Sequence, residues 1–459
     1  MIESAPPLAS ILLEESARAG AAAADVFLKR SVARHLGLPS GSTGRSVERG
    51  VALRLFVSDG RSAIAAATLP PEGDPGGEAE GSARAIAAAL VRRAVAAAAL
   101  ASPAPLLSLP GAAAADGRGL GLFDPDIEGP VEMIRAAAGE IHAFASEAAA
   151  GASAETRLEA VTSTVHLANS AGFAGSFRHT LARLDLTLSI ARGGASASAH
   201  VVRAARSLRG LAADAAALEA ASLLEERLEP RLAPSGIHEV LLSPRAAAEL
   251  TAALAACVCG SGEEGVAWSP AGAPRRGERI GSNAITVTDD GRLPGGVASA
   301  PFDGEGTRTR RTVILERGTA RETLRDLEAG ASGAGSTGNG IRASFREAPS
   351  LRPTNLFINP GHEAPGDLLA SIRQGIRISA LGRIPPSRSP DAPFAVPFTG
   401  RWIHGGRTGA PLGGGFLAGN LREILTEVEA AASDLAFSHR RGSFGSPTLL
   451  LRRAPVRSA

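Results

Sequence analysis

The fold turns on two runs, Val161-Thr162-Ser163-Thr164-Val165-His166-Leu167-Ala168-Asn169-Ser170-Ala171-Gly172 and, downstream, Leu184-Asp185-Leu186-Thr187-Leu188-Ser189-Ile190. In the first, Thr162, Thr164 and His166 alternate with Val161, Val165 and Leu167. In the second, Leu184, Leu186, Leu188 and Ile190 alternate with Asp185, Thr187 and Ser189. Successive side chains of a strand point to opposite faces, so a period of two marks strands with one buried face. Asn169-Ser170-Ala171-Gly172 is turn-forming, which predicts an antiparallel pair over residues 157–192.

The flanking sequence extends this pattern. Leu8, Ile11 and Leu12 share one face of a helix predicted over Leu8–Ala24, and an extended stretch begins at Asp25. Val51, Leu53, Leu55 and Val57 line a strand, Ser58-Asp59-Gly60 turns, and Ser62–Thr68 returns as a hairpin. Pro70, Pro71 and Pro75 mark residues 69–81 as an exposed loop, and an Ala-rich helix follows to about Leu100. Further helices are predicted over Val131–Ala150 and Leu211–Leu228, the latter ending near Pro230. Helices alternating with hairpins indicate an α+β class, not repeated βαβ units.

Pro234-Ser235-Gly236 is a natural linker, dividing an N-terminal α+β domain, 1–230, from a C-terminal domain, 231–459. The second domain opens with strand Glu239–Leu242. A helix then runs over Pro244–Ala256, with Ser243 as N-cap and Pro244 at its first position. Strands are predicted over Ala284–Thr288, Arg311–Glu316, Thr354–Ile358, Phe398–Ile403, Arg407–Pro411 and Pro447–Leu451. Helices are expected over Gly366–Gln374, capped by Gly375, and over Leu421–Ala432. This half is expected to be mostly β, as a barrel or a sandwich. No repeat of 20–50 residues, as in a solenoid, is present.

Composition narrows the function classes. The 459 residues are 44% apolar, ample for two cores. The 48 basic and 46 acidic side chains leave a formal charge of +2, which argues against nucleic acid as the partner. Aromatics at 3% make a poor base-stacking platform, and 2 Cys exclude a disulfide framework. Met1-Ile2-Glu3-Ser4 lacks the start of a secretory signal, and Arg92 and Arg93 interrupt the longest Ala-rich run. The expectation is a cytoplasmic protein with no membrane partner. Lys29 is the sole lysine; with the heavy Ala and Gly usage this reflects a GC-rich coding sequence.

No self-contained catalytic apparatus is visible. A zinc peptidase helix places two His on one face beside a carboxylate base. His238-Glu239 has no second His within two helical turns, and its surroundings read as a strand. His362 and Asp367 are separated by Pro365 and Gly366, which break the helix needed to bring them together. Cys257 and Cys259 form a CxC without further ligands and read as reduced, partly buried thiols. Gly333-Ala334-Gly335-Ser336-Thr337-Gly338-Asn339-Gly340 lacks the Gly-Lys-Ser/Thr ending of a phosphate loop, leaving a flexible loop or the lining of a cleft. Arg308, Arg310 and Arg311, near Asp303 and Glu305, read as a solvated ion-paired surface or as a site for a peptide carboxylate. No GxSxG elbow occurs.

A series of short segments, in order, resembles the TldD/PmbA family of bacterial and archaeal peptidase subunits. They are Arg49-Gly50-Val51-Ala52-Leu53-Arg54-Leu55, Asp59-Gly60-Arg61, Asn169-Ser170-Ala171-Gly172, and Ala300-Pro301-Phe302-Asp303-Gly304-Glu305-Gly306-Thr307-Arg308-Thr309. Ser336-Thr337-Gly338-Asn339-Gly340, Thr354-Asn355-Leu356-Phe357-Ile358, Gly361, Gly419-Asn420-Leu421 and Ser433-Asp434-Leu435 continue it. The fourth is similar to the family's Phe-Asp-x-Glu-Gly-x-x-Thr segment. TldD-type members carry HExxxH just after the first strand of the C-terminal half. Here that place holds Leu242-Ser243-Pro244-Arg245-Ala246-Ala247-Ala248-Glu249-Leu250, without a histidine, and residues 433–446 contain no Cys ligand. The sequence thus resembles the PmbA (TldE) type.

The resemblance implies a subunit with no metal and no cofactor of its own. Its partner would be a TldD-type chain carrying zinc, and its substrate an unfolded peptide held in extended form by edge-strand pairing. Residues lent to substrate would come from Phe302, Asp303, Glu305, Gly306 and Thr307, and from Asn339. Two alternatives stand beside this: a stand-alone metallopeptidase using His362, Asp367 or Cys257, and a non-enzymatic peptide-binding or regulatory protein.

Overall fold

The computed structural model describes residues 7–70, 80–103, 107–112, 116–259, 275–331 and 333–458. Met1–Ser4 and most of the 69–81 loop lie outside them.

The alternating runs build a six-stranded antiparallel sheet in the order β3-β2-β1-β4-β5-β6. Its strands are β1 (Ala23–Leu38), β2 (Thr43–Phe56), β3 (Ser62–Thr68), β4 (Ser153–Asn169), β5 (Ala174–Arg192) and β6 (Ala195–Ala205). Register is unbroken over the central pair, from Ser153 opposite Ser189 to Ala168 opposite Ala174. One face is covered by α1 (Pro7–Arg18), α2 (Glu80–Ala98), α3 (Val131–Ala148) and α4 (Ala213–Leu228). Val26, Leu53 and Leu55 pack with Leu12 of α1 and Leu90 of α2. Leu184, Leu186 and Leu188 pack with Ile134 of α3 and Leu223 of α4.

The other face is an aromatic seam. Phe27, Ala52, Val165 and Leu167 meet Phe302 and Phe345 from the C-terminal half. Gly50 of β2 makes this approach possible, because a Cβ there would lie 2.2 Å from the Phe345 ring. Period-two alternation therefore sends Val26 and Leu53 to the helices, and their neighbours Asp25, Phe27, Ala52 and Arg54 to the seam.

The C-terminal half contains a closed five-stranded barrel. Its strands are Gly236–Leu242, Gln374–Leu381, Phe394–His404, Arg407–Gly419 and Leu449–Ser458. Pairing of Gly415–Leu417 with Val456–Ser458 closes the ring. A second sheet beside it runs from Thr319–Ala320 through Arg311–Glu316, Val287–Asp290, Asn355–Ile358 and Ser443–Ser446 to an edge strand, Ala436–Ser438. Helix α5 (Pro244–Val258) is buried along most of its length, with Ala247, Leu250, Leu254 and Val258 in the core shared by barrel and sheet. The α+β expectation holds, with a barrel as the C-terminal form.

Local expectations need correction at several points. Helix α1 stops at Arg18 instead of reaching Ala24, because Gly20 adopts φ of +81° and turns the chain into β1. Gly375 does not cap a helix; the short helix Pro365–Ser371 ends earlier, and Gly375 sits inside a barrel strand. A Cβ at Gly375 would lie 2.5 Å from the Glu239 carbonyl oxygen, so glycine serves close strand approach there. The helix predicted over Leu421–Ala432 covers only Leu421–Thr426, and Val428–Ala431 pairs with the last barrel strand. β6 was not anticipated.

Candidate functional site

The segment predicted to touch substrate is a buried joint between the two halves. Phe302 stacks edge-on against Phe173 and Phe177, with ring centroids 5.2 and 5.1 Å away. The following turn is organised by Asp303, whose Oδ1 accepts N–H bonds from Glu305 and Thr307 at 2.9 Å and whose Oδ2 accepts from Gly340 at 2.9 Å. Gly306 adopts φ of +87° to complete the turn. Burial and the neighbouring Glu305 charge push the Asp303 carboxyl up to about 8.

Glu305 points into the N-terminal sheet. Its Oε1 accepts from Arg54 Nη1 at 3.1 Å and its Oε2 from the Leu327 N–H at 2.8 Å. Arg54 Nε donates to Asp25 Oδ2 at 2.6 Å, Arg342 Nη2 donates to Asp25 Oδ1 at 2.5 Å, and Arg342 Nε donates to the Gly304 carbonyl at 2.8 Å. Asn339 donates to Asp289 Oδ2 at 2.8 Å and to the Arg352 carbonyl at 3.0 Å, while Thr337 donates to Asn339 Oδ1. Thr354 binds Asp289 through both N–H and hydroxyl, at 2.7 and 2.9 Å. Burial lifts Asp289 to about 6.

The structure therefore brings Phe302, Asp303, Glu305, Gly306, Thr307 and Asn339 together, but buried: Asp303, Glu305 and Asn339 are 4%, 2% and 1% exposed. Thr307 is half-buried. The segment predicted as a flexible loop is packed over its second part, since Thr337–Gly340 is buried and only Gly333–Gly335 is exposed. Arg310 pairs with Glu322 at 2.6 Å on the surface, as a solvated ion pair would.

Open space lies elsewhere, between β6, α4, the start of α5 and the edge strand Ala436–Ser438. A cavity of about 260 Å³ is lined by Arg203, Glu219, Arg245, Arg377, Ser243 and Phe437, among others. It shares Arg203, Ala436 and Phe437 with an adjoining cleft of about 770 Å³, walled by Arg206, Pro294 and His439. Ser243 caps α5, accepting from Ala246 N–H at 3.3 Å and donating to the Ser379 carbonyl at 2.8 Å, so the positive end of the helix faces the cavity. Glu219 is held by Arg203 and, at 2.8 Å, by Arg245.

Arg206 is 7% exposed and has no carboxylate among its bonded partners; its bonds run to the carbonyls of Gly296, Ser299 and Thr180 and to His179 Nδ1. Burial draws its guanidinium down to about 10. Burial and the charges of Arg203 and Arg183 hold His439 neutral, down to about 4. Among the described residues, His439 Nδ1 is buried without a hydrogen-bond partner. None of these cleft residues was singled out from the sequence.

The metal expected of a peptidase does not fit these residues. Among the described residues no group of three or more His, Cys, Asp or Glu stands close enough to hold an ion. On α5, Glu249 is engaged by Arg440 and Arg441, and the cavity beside it presents guanidiniums, which repel a divalent cation. His362 and Asp367 are exposed. Cys257 donates to the Ser387 carbonyl at 3.2 Å, with its thiol pushed up to about 12 by burial.

Residues 235–458 match the PmbA/TldA metallopeptidase C-terminal domain. This C-terminal half belongs to the TldD/PmbA family. A metalloprotease of Methanocaldococcus jannaschii is 34% identical over 165 residues, 35% of this chain and 36% of that protein. A Haemophilus influenzae homologue of the metalloprotease TldD is 33% identical over 107 residues, 23% of this chain and 22% of that protein. These matches thus span about a third or less of the relatives' own length. TldE from Thermococcus kodakarensis has the same fold, with a TM-score of 0.82 over 98% of this chain and 99% of that one at 19% identity.

Proposed function

We propose that this chain is the TldE-like subunit of a two-chain metallopeptidase. It binds no metal, pairs with a TldD-type chain that carries zinc, and walls the chamber in which unfolded peptides are cleaved. A cytoplasmic, bacterial setting belongs to the same reading; no described helix is long and apolar enough to cross a membrane. The observation that carries it is the start of α5. The helix and its Ser243 cap are intact, yet where the resemblance puts the family's metal motif its head presents Arg245 to the cavity, followed by three alanines buried in the core.

The chain's own part is to position peptide. β6 is the edge of the N-terminal sheet and Ala436–Ser438 the edge of the second C-terminal sheet, and both line the cleft. An edge strand offers N–H and C=O groups to an extended backbone while demanding little of its sequence. Phe302, Asp303, Glu305, Gly306, Thr307 and Asn339 would serve substrate by fixing the joint that spaces those edges, since their bonds are spent inside the chain.

The test is metal content and peptidase activity of the purified chain, alone and mixed with a TldD-type protein from the same source. The expected result is no stoichiometric zinc in this chain and activity only in the mixture. Zinc with activity in the isolated chain, lost in His362→Ala, would replace this reading with the stand-alone enzyme.

A further inference from the structure

We infer that the 260 Å³ cavity at the head of α5 takes a carboxylate of the bound peptide, and so sets which end of an extended chain enters it. The inference rests on the peptide-binding reading above and adds the chemistry of the ligand.

Charge is the first ground. Arg203, Arg245 and Arg377 line the cavity against a single carboxylate, Glu219, and the positive end of α5 adds to them. Arg377 donates to Ser379 Oγ at 2.8 Å and lies 3.7 Å from Glu226, whose Oε1 it shares with Arg401 at 3.2 Å. Its charge is thus only partly matched. Beyond the cavity wall, burial lowers the pKa of both Arg227 and Arg440, and the nearby charge of Arg245 adds to it. A guanidinium fork is the side chain best shaped for carboxylate oxygens.

Shape is the second ground. At about 260 Å³ the cavity falls below the ~300–1,000 Å³ of sites that enclose drug-sized ligands, so it suits the end of a chain or one side chain. It opens on the larger cleft through Arg203, Ala436 and Phe437. An extended peptide lying along β6 or Ala436–Ser438 would run from the cleft into it. Val202, Leu223 and Phe437 give the apolar lining that strengthens a charged contact. A terminal carboxylate and an acidic side chain carry the same group, and the experiment separates them.

The probes are three fluorescent decapeptides of one sequence: free acid, C-terminal amide, and C-terminal amide with glutamate at the last position. Binding to the full chain is read by anisotropy at low and moderate salt. Loss of a charge-assisted hydrogen bond corresponds to roughly tenfold or more in affinity. The free acid is therefore expected to bind at least about fivefold tighter than the plain amide, with the gap shrinking as salt rises. A glutamyl amide that matches the free acid shows that the cavity takes a carboxylate from either a side chain or the terminus; one that matches the plain amide restricts it to the terminus.

Arg245→Gln and Arg377→Gln should each narrow the gap, and Glu219→Gln should widen it. That opposite sign is one a general loss of structure cannot produce. Equal binding of all three peptides, or of none, overturns the inference, as does a gap that Glu219→Gln narrows. Peptidase activity of the reconstituted pair, indifferent to the carboxylate, would sink this inference and leave the subunit reading. Charge-dependent binding without peptidase activity in the pair would sink the subunit reading alone.

Discussion

Replacing Asp25 by Asn tests whether the joint between the halves is held by its buried charges. Asp25 is 0% exposed and is the shared acceptor of Arg54, at 2.6 Å, and Arg342, at 2.5 Å. Asn keeps the shape and removes the charge, leaving two buried guanidiniums with Glu305 as their remaining close acid. Removing one partner of a buried ion pair costs about 3–5 kcal/mol, because the other charge stays desolvated and unmatched. The control is Glu48→Gln, which breaks the Arg346–Glu48 pair at 3.0 Å across the same junction. That pair is 57% and 42% exposed, so its loss should cost no more than ~1 kcal/mol. Guanidinium unfolding followed by circular dichroism gives both values on one scale. If Asn at 25 costs no more than Gln at 48, the joint is held by its aromatic seam and the electrostatic argument fails.

Gly50→Ala should destabilise by roughly 1–3 kcal/mol, because the new Cβ meets the Phe345 ring at 2.2 Å; Phe345→Leu should cost less in that background than in the wild type. His439, held down to about 4, binds its proton in the unfolded chain near 6.5 and in the folded one only below that, so stability present above pH 6.5 falls away toward pH 4. His439→Gln should flatten that acid limb in unfolding curves taken at stepped pH. Cys257, pushed up to about 12, and buried Cys259, whose thiol is also raised by burial, should resist a maleimide at pH 7.5 and react only after denaturation, as counted by mass. Reaction of the native chain would mean that α5 opens at its C-terminal end.

The sequence was most readable where packing is one-sided. β4 and β5 alternate because one face meets α3 and α4, and their apolar positions are the ones that became buried. β6, Ala195-Ser196-Ala197-Ser198-Ala199-His200-Val201-Val202-Arg203, hides because small residues have little strand preference of their own, and the ladder with β5 imposes the conformation. The strand at Gln374–Leu381 did carry a signal in Ile376 and Ile378, masked by reading Gly375 as a helix stop. The Asp303 and Asn339 segments stood out as motifs, yet a motif does not say whether it faces substrate or neighbour. Arg203, Arg245 and Arg377 belong to β6, α5 and a barrel strand; separated by long stretches of chain, they form no pattern until the fold assembles them.

The closure of the barrel has a consequence for how the protein is made. Its first strand, Gly236–Leu242, pairs with Gln374–Leu381 and with Leu449–Ser458, which leaves the ribosome more than two hundred residues later. Most of the N-terminal sheet, by contrast, is made of hairpins whose strands follow one another in the chain. During vectorial synthesis the sheet can therefore form early, with its aromatic face bare until Phe302 and Phe345 emerge, while the barrel waits for its closing strand. Long-range pairing of this kind is slow and exposes apolar surface in the meantime. A nascent chain halted before residue 449 is then the species that a chaperone would find most in need of cover.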